Sequence, residues 1–359
     1  MLYLIAGNGS PNFGDELIVQ NWLRFYRENG YKGQITVDGK GNIRSERLIR
    51  GFGDVRFVTN IPRHSEGREG TYADFYKIGK DYAADALDRF KGVRAFHLLG
   101  GGYVSANWFN AARLLSAVTN LGEELSVPVV ATGLGIAPFR NLDGEGAAAW
   151  SHIVAGCRLF ECRDEESYRS LMALTDGKLP SLTFGLDDAF LSSLFIKRHA
   201  GRWLHLSGFS QASIIGKSEG SAPDLFKQFD KVVFWTCSTA DAALHADLVQ
   251  KYPVVERYNN ERLLNEGLPI GADDFMITGR FHPHLQAARA GISGLFTADS
   301  GFYKTKHGLV TDLGSPFASM KEEPKIFQGN STRMVSCEAG RVEEKQRVGR
   351  RVLALLDII

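Results

Sequence analysis

The chain has 359 residues, 42 Lys and Arg against 41 Asp and Glu for a net charge of +1, and four cysteines. That length suits two domains with a core each, and the balanced charge excludes a global field for nucleic acid or an acidic membrane, so any anion site has to be local. Cys157, Cys162, Cys237 and Cys337 are too few for a disulfide framework and lack the second close pair of a zinc site, which reads as reduced thiols in a cytoplasmic protein.

Short apolar runs alternate with amphipathic stretches, the pattern of strand–helix units around parallel sheets. The start, MLYLIAGNGS, has no basic leader and suits a buried first strand; no stretch reaches the roughly 20 apolar residues of a spanning helix. Strands are predicted at 2–6, 34–37, 55–59, 93–99, 127–132, 158–162 and 182–185, with a helix at 15–30 whose end Gly30 caps. A second set follows at 203–209, 231–237, 254–258, 273–278 and 294–298, and apolar residues at helical spacing mark a last helix over 343–357. The break near 192–202 sets the expected organisation: a Rossmann-like domain over 1–195, a second over 196–335, and a C-terminal helix within 336–359 that packs on the domains. Two such domains imply a cleft, lined by loops at the carboxyl ends of strands.

Four of those loops carry the candidate chemistry. In GNGSPNFGDELI (7–18) the glycines allow close backbone approach, and Asn12, Asp15 and Glu16 are placed either for a ligand or, more simply, to cap a helix and complement its dipole. The spacing is neither a dinucleotide fingerprint nor a P-loop. LLGGGYVSANW (98–108) offers Gly101 and Gly102 as an amide cradle or as a tight turn, and ATGLGIAP (131–138) is a third glycine-rich end. Arg163 leaves a buried strand and needs an anion: a ligand, or a structural partner among Asp164, Asp187 and Asp188.

The fourth loop, GRFHPHLQAARAG (279–291), can be read three ways. His282 and His284, two apart, face different sides of a helix and bring no acidic partner, which disfavours a metal; no Gly-x-Ser-x-Gly elbow supplies a nucleophile. An anion grip fits, with Arg280 at a strand end and His282 at a helix start, and His284 solvent-facing or in support.

In order, NFGDELI, GGG, GLGI, RDEES, DDAF, GRFHPHLQAARAG and YKTKHGLVTDLG, from 12 to 314, resemble the polysaccharide pyruvyl transferase family. The resemblance implies a GT-B-like α/β fold of two Rossmann-like parallel-sheet domains. It also implies phosphoenolpyruvate as donor, and as acceptor a sugar or glycan, possible in lipid-linked form, that gains a pyruvate ketal. Catalytic roles fall to His282, Arg280 and Asp15. Donor binding falls to Arg163, Arg280, His282, Lys306, Gly101 and Gly102, with Arg163 and Asp164 matching the Arg-Asp motif and Tyr303 and Lys306 the Tyr-x-x-Lys element. Acceptor binding falls to Asn12, Asp15 and Glu16, although the first loop is longer than in many relatives. Arg280 and Arg163 would clamp the donor bidentately, and no metal, cofactor, nucleic acid or membrane span is called for. The enzyme would work in the cytoplasm, and at the inner membrane surface for a lipid-linked acceptor. A nucleotide-sugar glycosyltransferase of the same architecture and a non-catalytic relative are the competing readings.

Overall fold

A computed structural model describes the chain except residues 11, 42–45, 47–48, 50, 62–69, 107–109, 141, 209–220, 299, 321–331 and 358–359. Trp108 and Phe209, at the ends of a predicted loop and strand, lie outside the described residues. Two compact units are present, one of Met1–Gly9, Asp15–Ser192 and Arg341–Ile359, the other of Ser10–Gly14 and Ser193–Gly340. The division after Ser192 lies just before the boundary drawn at 195, but Ser10–Gly14 group with the second unit and the segment from Arg341 with the first.

The first unit carries β1 (Leu2–Ile5), α1 (Phe13–Glu28, from Asp15 onward), β2 (Ile35–Asp38), β3 (Val55–Val58), α2 (Tyr72–Ala86), β4 (Ala95–Leu98), α3 (Asn110–Glu124), β5 (Val129–Leu134), α4 (Gly144–Ala155), β6 (Leu159–Cys162), α5 (Glu165–Leu174) and β7 (Leu182–Phe184). The sheet is parallel in the order β3-β2-β1-β4-β5-β6-β7. Its central strands β1, β4 and β5 are buried along their whole length and read as mostly apolar runs because both faces are covered. Tyr3 and Ile5 point into a core with Phe96, Leu98 and residues of α2, α3 and α4. Leu2 and Leu4 point the other way, onto Trp22 and Leu23 of α1 and onto Val352, Leu353 and Leu356 near the chain's C-terminal end. Past α1, Gly30 takes φ +93°, and its amide bonds the Arg27 carbonyl, closing the helix where the sequence placed its end.

In the second unit lie β8 (Ile196–Lys197), β9 (Trp203–Ser207), α6 (Ser221–Phe226), β10 (Lys231–Thr236), α7 (Thr239–Lys251), β11 (Val255–Asn259), α8 (Asn260–Asn265), β12 (Leu268–Pro269), β13 (Phe275–Thr278), α9 (Phe281–Arg289), β14 (Ser293–Phe296), α10 (Gly301–Asp312), β15 (Phe317–Ser319) and α11 (Thr332–Ser336). Its main sheet is parallel, β11-β10-β9-β13-β14-β15, while β8 and β12 form a separate pair. The last helix, α12 (Glu338–Leu356), begins earlier than the predicted 343. In each main sheet the strand order reverses beside the first strand, between β1 and β4 and between β9 and β13. Such a switch point is where doubly wound sheets leave room for a ligand.

Candidate active site

The switch point of the second unit is occupied by Arg280. β9 ends into Gly208, at φ +63°, and β13 into Gly279, so neither strand end carries a side chain there. A Cβ on Gly208 would overlap the Arg280 side chain, so the glycine is what allows the arginine to lie across both strands. Arg280 then serves as N-cap residue of α9, with its own amide bound to Thr278 Oγ1 at 2.9 Å. Its guanidinium turns toward the start of α7: Nε lies 3.2 Å and Nη2 2.5 Å from Asp241 Oδ1, and Nη2 lies 2.8 Å from Ser238 Oγ. Burial would lower its basicity, but the charge and bonds of Asp241 outweigh that and hold it above the usual arginine value. The bidentate edge expected to clamp the donor is therefore taken by Asp241 and Ser238, and among the described residues the two N–H groups of Nη1 are the ones left for a ligand.

His282 follows in the first turn of α9, nearly buried, its ring edge-on to Phe281. The imidazole lies directly over Gly14, where a Cβ would overlap Nδ1. Gly14 and Asn12 belong to this second unit: Phe13 donates its amide to Cys237 O at 2.8 Å, Asn12 pairs with Ser238 in an isolated bridge, and Asn12 Oδ1 accepts the Gly14 amide at 3.2 Å. Asn12 thus belongs to the same unit as Arg280 and His282. Tyr303 and Lys306 follow on α10, with the Lys306 ammonium 5.7 Å from the Tyr303 ring centre.

His284 is fully buried, contrary to the solvent-facing expectation. Its Nδ1 is 2.8 Å from His307 Nδ1, its Nε2 is 2.8 Å from Ser315 Oγ, and its ring stacks on Phe296. Burial, and then His307, keep it well below the ordinary histidine range, so it is a neutral packing residue.

Within the first unit the switch point gathers Asp15, Gly7 and Gly101. The Asp15 carboxylate passes 2.8 Å from where a Cβ on Gly7 would sit and 3.3 Å from one on Gly101. Asp15 lies in the first turn of α1, after Phe13 and Gly14, so it is not the cap that the simpler reading supposed. Glu16 Oε1 accepts the Gly9 amide at 2.9 Å and closes the loop on itself. Tyr103, which the sequence did not flag, sends its hydroxyl to Ile5 O and Leu99 O at 3.0 and 2.8 Å, bridging the ends of β1 and β4.

Arg163 is 2% exposed and paired with Asp187, Nη1 to Oδ2 at 2.6 Å, so the structural partner weighed against a donor role is the one present. Asp164 caps α5 through the Ser167 amide. Asp188 Oδ2 receives the Gly100 amide, Trp22 Nε1 and Thr132 Oγ1, each at 2.8 Å. Its other oxygen lies 2.7 Å from Lys345 Nζ, which also meets Glu161 Oε2 at 2.5 Å. This buried group holds Gly100 at the start of the loop after β4, next to Gly101 and Gly102, and Thr132 and Gly133 within β5.

Among the described residues one group has metal-ligand chemistry: His199, His205 and Asp274, with ligand atoms within 4.8 Å of one another. Trp235 Nε1, which can only donate, bonds His205 Nδ1 at 3.1 Å, so the ring proton sits on Nε2 and points to Asp274 Oδ2, 2.7 Å away. A metal on that Nε2 would have to displace the proton and strand the indole donor, and the group reads as a structural hydrogen-bond chain.

Solved structures of similar fold include a UDP-N-acetylglucosamine 2-epimerase, at 12% identity, TM-score 0.59, covering 98% of this chain and 95% of that one. The Neisseria meningitidis UDP-GlcNAc 2-epimerase bound to UDP-GlcNAc follows at 10%, 0.53, 100% and 94%. The Methanocaldococcus jannaschii enzyme in complex with UDP-GlcNAc and UDP gives 10%, 0.52, 98% and 99%. At such identity the likeness shows the fold, a GT-B type with two Rossmann-like domains. The comparison with curated proteins found no match. No helix among the described residues is long and apolar enough to cross a membrane. The family model for polysaccharide pyruvyl transferase matches residues 12–299, which take in Asp15 and the Arg280–His282 loop, and the chain belongs to that family of transferases.

Proposed function

We propose that this transferase moves pyruvate from phosphoenolpyruvate onto two hydroxyls of one sugar, forming a ketal on a polysaccharide or its precursor. The observation that carries the reading is Arg280 at the switch point of its sheet, anchored on one edge and, among the described residues, with Nη1 unspent, at the N-terminus of the helix that bears His282. A helix N-terminus and a fixed guanidinium suit the donor's carboxylate or phosphate, with Lys306 as a further cation. His282 is placed to give a proton to the methylene carbon, which becomes a methyl group and leaves C2 electrophilic. One sugar hydroxyl adds at C2 and loses its proton, the C2–O bond to phosphate breaks, and the second hydroxyl closes the ketal as its proton leaves. Inorganic phosphate is the other product. Asp15, at the switch point of the other sheet, is the group assigned to orient or deprotonate the acceptor hydroxyls, with Glu16 shaping its loop. Arg163 is paired with Asp187 through Nη1, so its assignment to the donor rests on the family resemblance alone. The reading places the enzyme in the cytoplasm, at the inner membrane surface where the acceptor is lipid-linked.

The test is to incubate purified protein with phosphoenolpyruvate and a panel of free, nucleotide-linked and lipid-linked sugars, following phosphate release and a pyruvate adduct by mass spectrometry. Both signals are expected for at least one sugar, and His282→Ala should abolish them together. Sugar transfer from a nucleotide donor without phosphoenolpyruvate turnover would overturn the reading in favour of a glycosyltransferase.

A further inference from the structure

Asp241 is fully buried beside Arg280, and both of its carboxylate oxygens accept hydrogen bonds. Oδ2 accepts the amides of Cys237 and Ser238, each at 2.9 Å, at the N-terminus of α7. Those two amides stop the carboxylate from turning, so Oδ1 faces Arg280 and takes both Nε and Nη2. Ser238 Oγ takes the remaining Nη2 proton. An arginine has five N–H donors, and three are thereby committed, which fixes the guanidinium plane and, among the described residues, leaves the two on Nη1 at a set position for a ligand. The lack of a Cβ on Gly208 leaves room for the Arg280 stem, so the guanidinium reaches Asp241 and Ser238. The ion pair also cancels much of the arginine's charge, so Arg280 contributes direction more than attraction.

We propose that Asp241, with Ser238 in support, is a positioning residue for the donor: it sets which end of the Arg280 guanidinium meets the donor's anionic group. The proposal rests on the reading of Arg280 as a donor ligand. In Asp241→Asn the amide must turn either its NH2 toward Arg280 or its NH2 toward the Cys237 and Ser238 amides, and each orientation sets donor against donor. The guanidinium loses its anchor while the shape of the side chain is kept.

The experiment is a double-mutant cycle on phosphoenolpyruvate affinity, measured by calorimetry for the native chain, Asp241→Asn, Arg280→Gln and the double variant. Asp241→Asn is expected to weaken binding about ten- to a hundredfold, the range for a hydrogen bond to a charged group. Combined with Arg280→Gln it should cost nothing further, because its effect passes through Arg280. Equal weakening in both backgrounds, or native affinity in Asp241→Asn, overturns the proposal and leaves the donor site standing. No binding by the folded native chain overturns both. Should Asp241→Asn fail to fold, Ser238→Ala takes its place in the cycle, with a few-fold loss expected in the native background and none beside Arg280→Gln.

Discussion

Replacing Lys345 with Met tests the buried charge group of the first unit. The ammonium lies 2.5 Å from Glu161, 2.7 Å from Asp188 and 2.7 Å from the Leu186 carbonyl, with all three side chains at most 1% exposed. Two carboxylates and one ammonium do not balance, and Glu161 shows how the excess is absorbed: burial raises its pKa, only partly offset by Lys345. Met fills much of the same volume but leaves the acids without a cation, and breaking such a pair costs about 3–5 kcal/mol. At about 2–4 °C per kcal/mol for a unit of this size, the transition of the first unit should fall by about 6–20 °C at pH 7. The sign of the pH effect follows from the acids. Glu161 already holds its proton more firmly folded than unfolded, so its contribution is fully present below its unfolded value and is lost as pH rises through its folded value. Without Lys345 that tendency grows, so the gap between variant and native Tm should narrow as pH is lowered toward about 4.5, the ordinary glutamate value. Scanning calorimetry of both proteins across pH 4–8 reads this directly. A Tm loss under about 3 °C at pH 7, or a gap that stays constant with pH, would refute the account of the cluster.

Gly14→Ala should push the His282 ring from its seat and lower turnover at least tenfold with phosphoenolpyruvate affinity partly kept, at an overpacking cost of about 1–3 kcal/mol; native turnover would show that the seat is irrelevant. Asp15→Asn, inside α1 and not at its cap, should cut activity at saturating donor with little change in Tm, and a parallel loss of both would make Asp15 structural. Acid should unfold the protein early, because burial pushes His97 down to about 3 and His307 down to about 4 from 6.5. Folded values below the unfolded one mean stability that is present above pH 6.5 and lost as pH falls, each histidine adding up to about 1.4 kcal/mol per pH unit; a Tm flat from pH 7 to 5 would contradict it.

The sheets were legible because parallel strands are buried on both faces and read as short apolar runs. β15 escaped, since Phe317–Ser319 holds a single large apolar residue, and β8 and β12 are two residues each. Arg163 was judged by sound physics, that a buried arginine needs an anion, but the anion is Asp187, 24 positions further along. Lys345 sits in EEKQR and looks like any solvated helix face; its partners are 157 and 184 positions away, a pairing only the fold creates. Asp241 did leave a local trace, Ser-Thr-Ala-Asp after an apolar run, which is the signature of a capping box, though nothing local says that the cap also holds an arginine. The first loop was not legible as a seam, because NFGDE is continuous in sequence while Gly14 and Asp15 belong to different units.

That seam, together with the return of the chain at Arg341 to the first unit, bears on how the protein is made. Domains of most chains can fold in order as they leave the ribosome. Here the first unit emerges with Glu161 and Asp188 facing an empty place, and the ammonium that fills it is translated only after the whole of the second unit. The second unit, for its part, needs residues 10–14, which were synthesised long before it and must be kept available. On this wiring the first unit is expected to complete its buried charge group only once residue 345 has been made. A cut between Ser192 and Ser193 would separate neither one whole, which makes this chain a poor subject for dissection and a natural one for rejoining its fragments in trans.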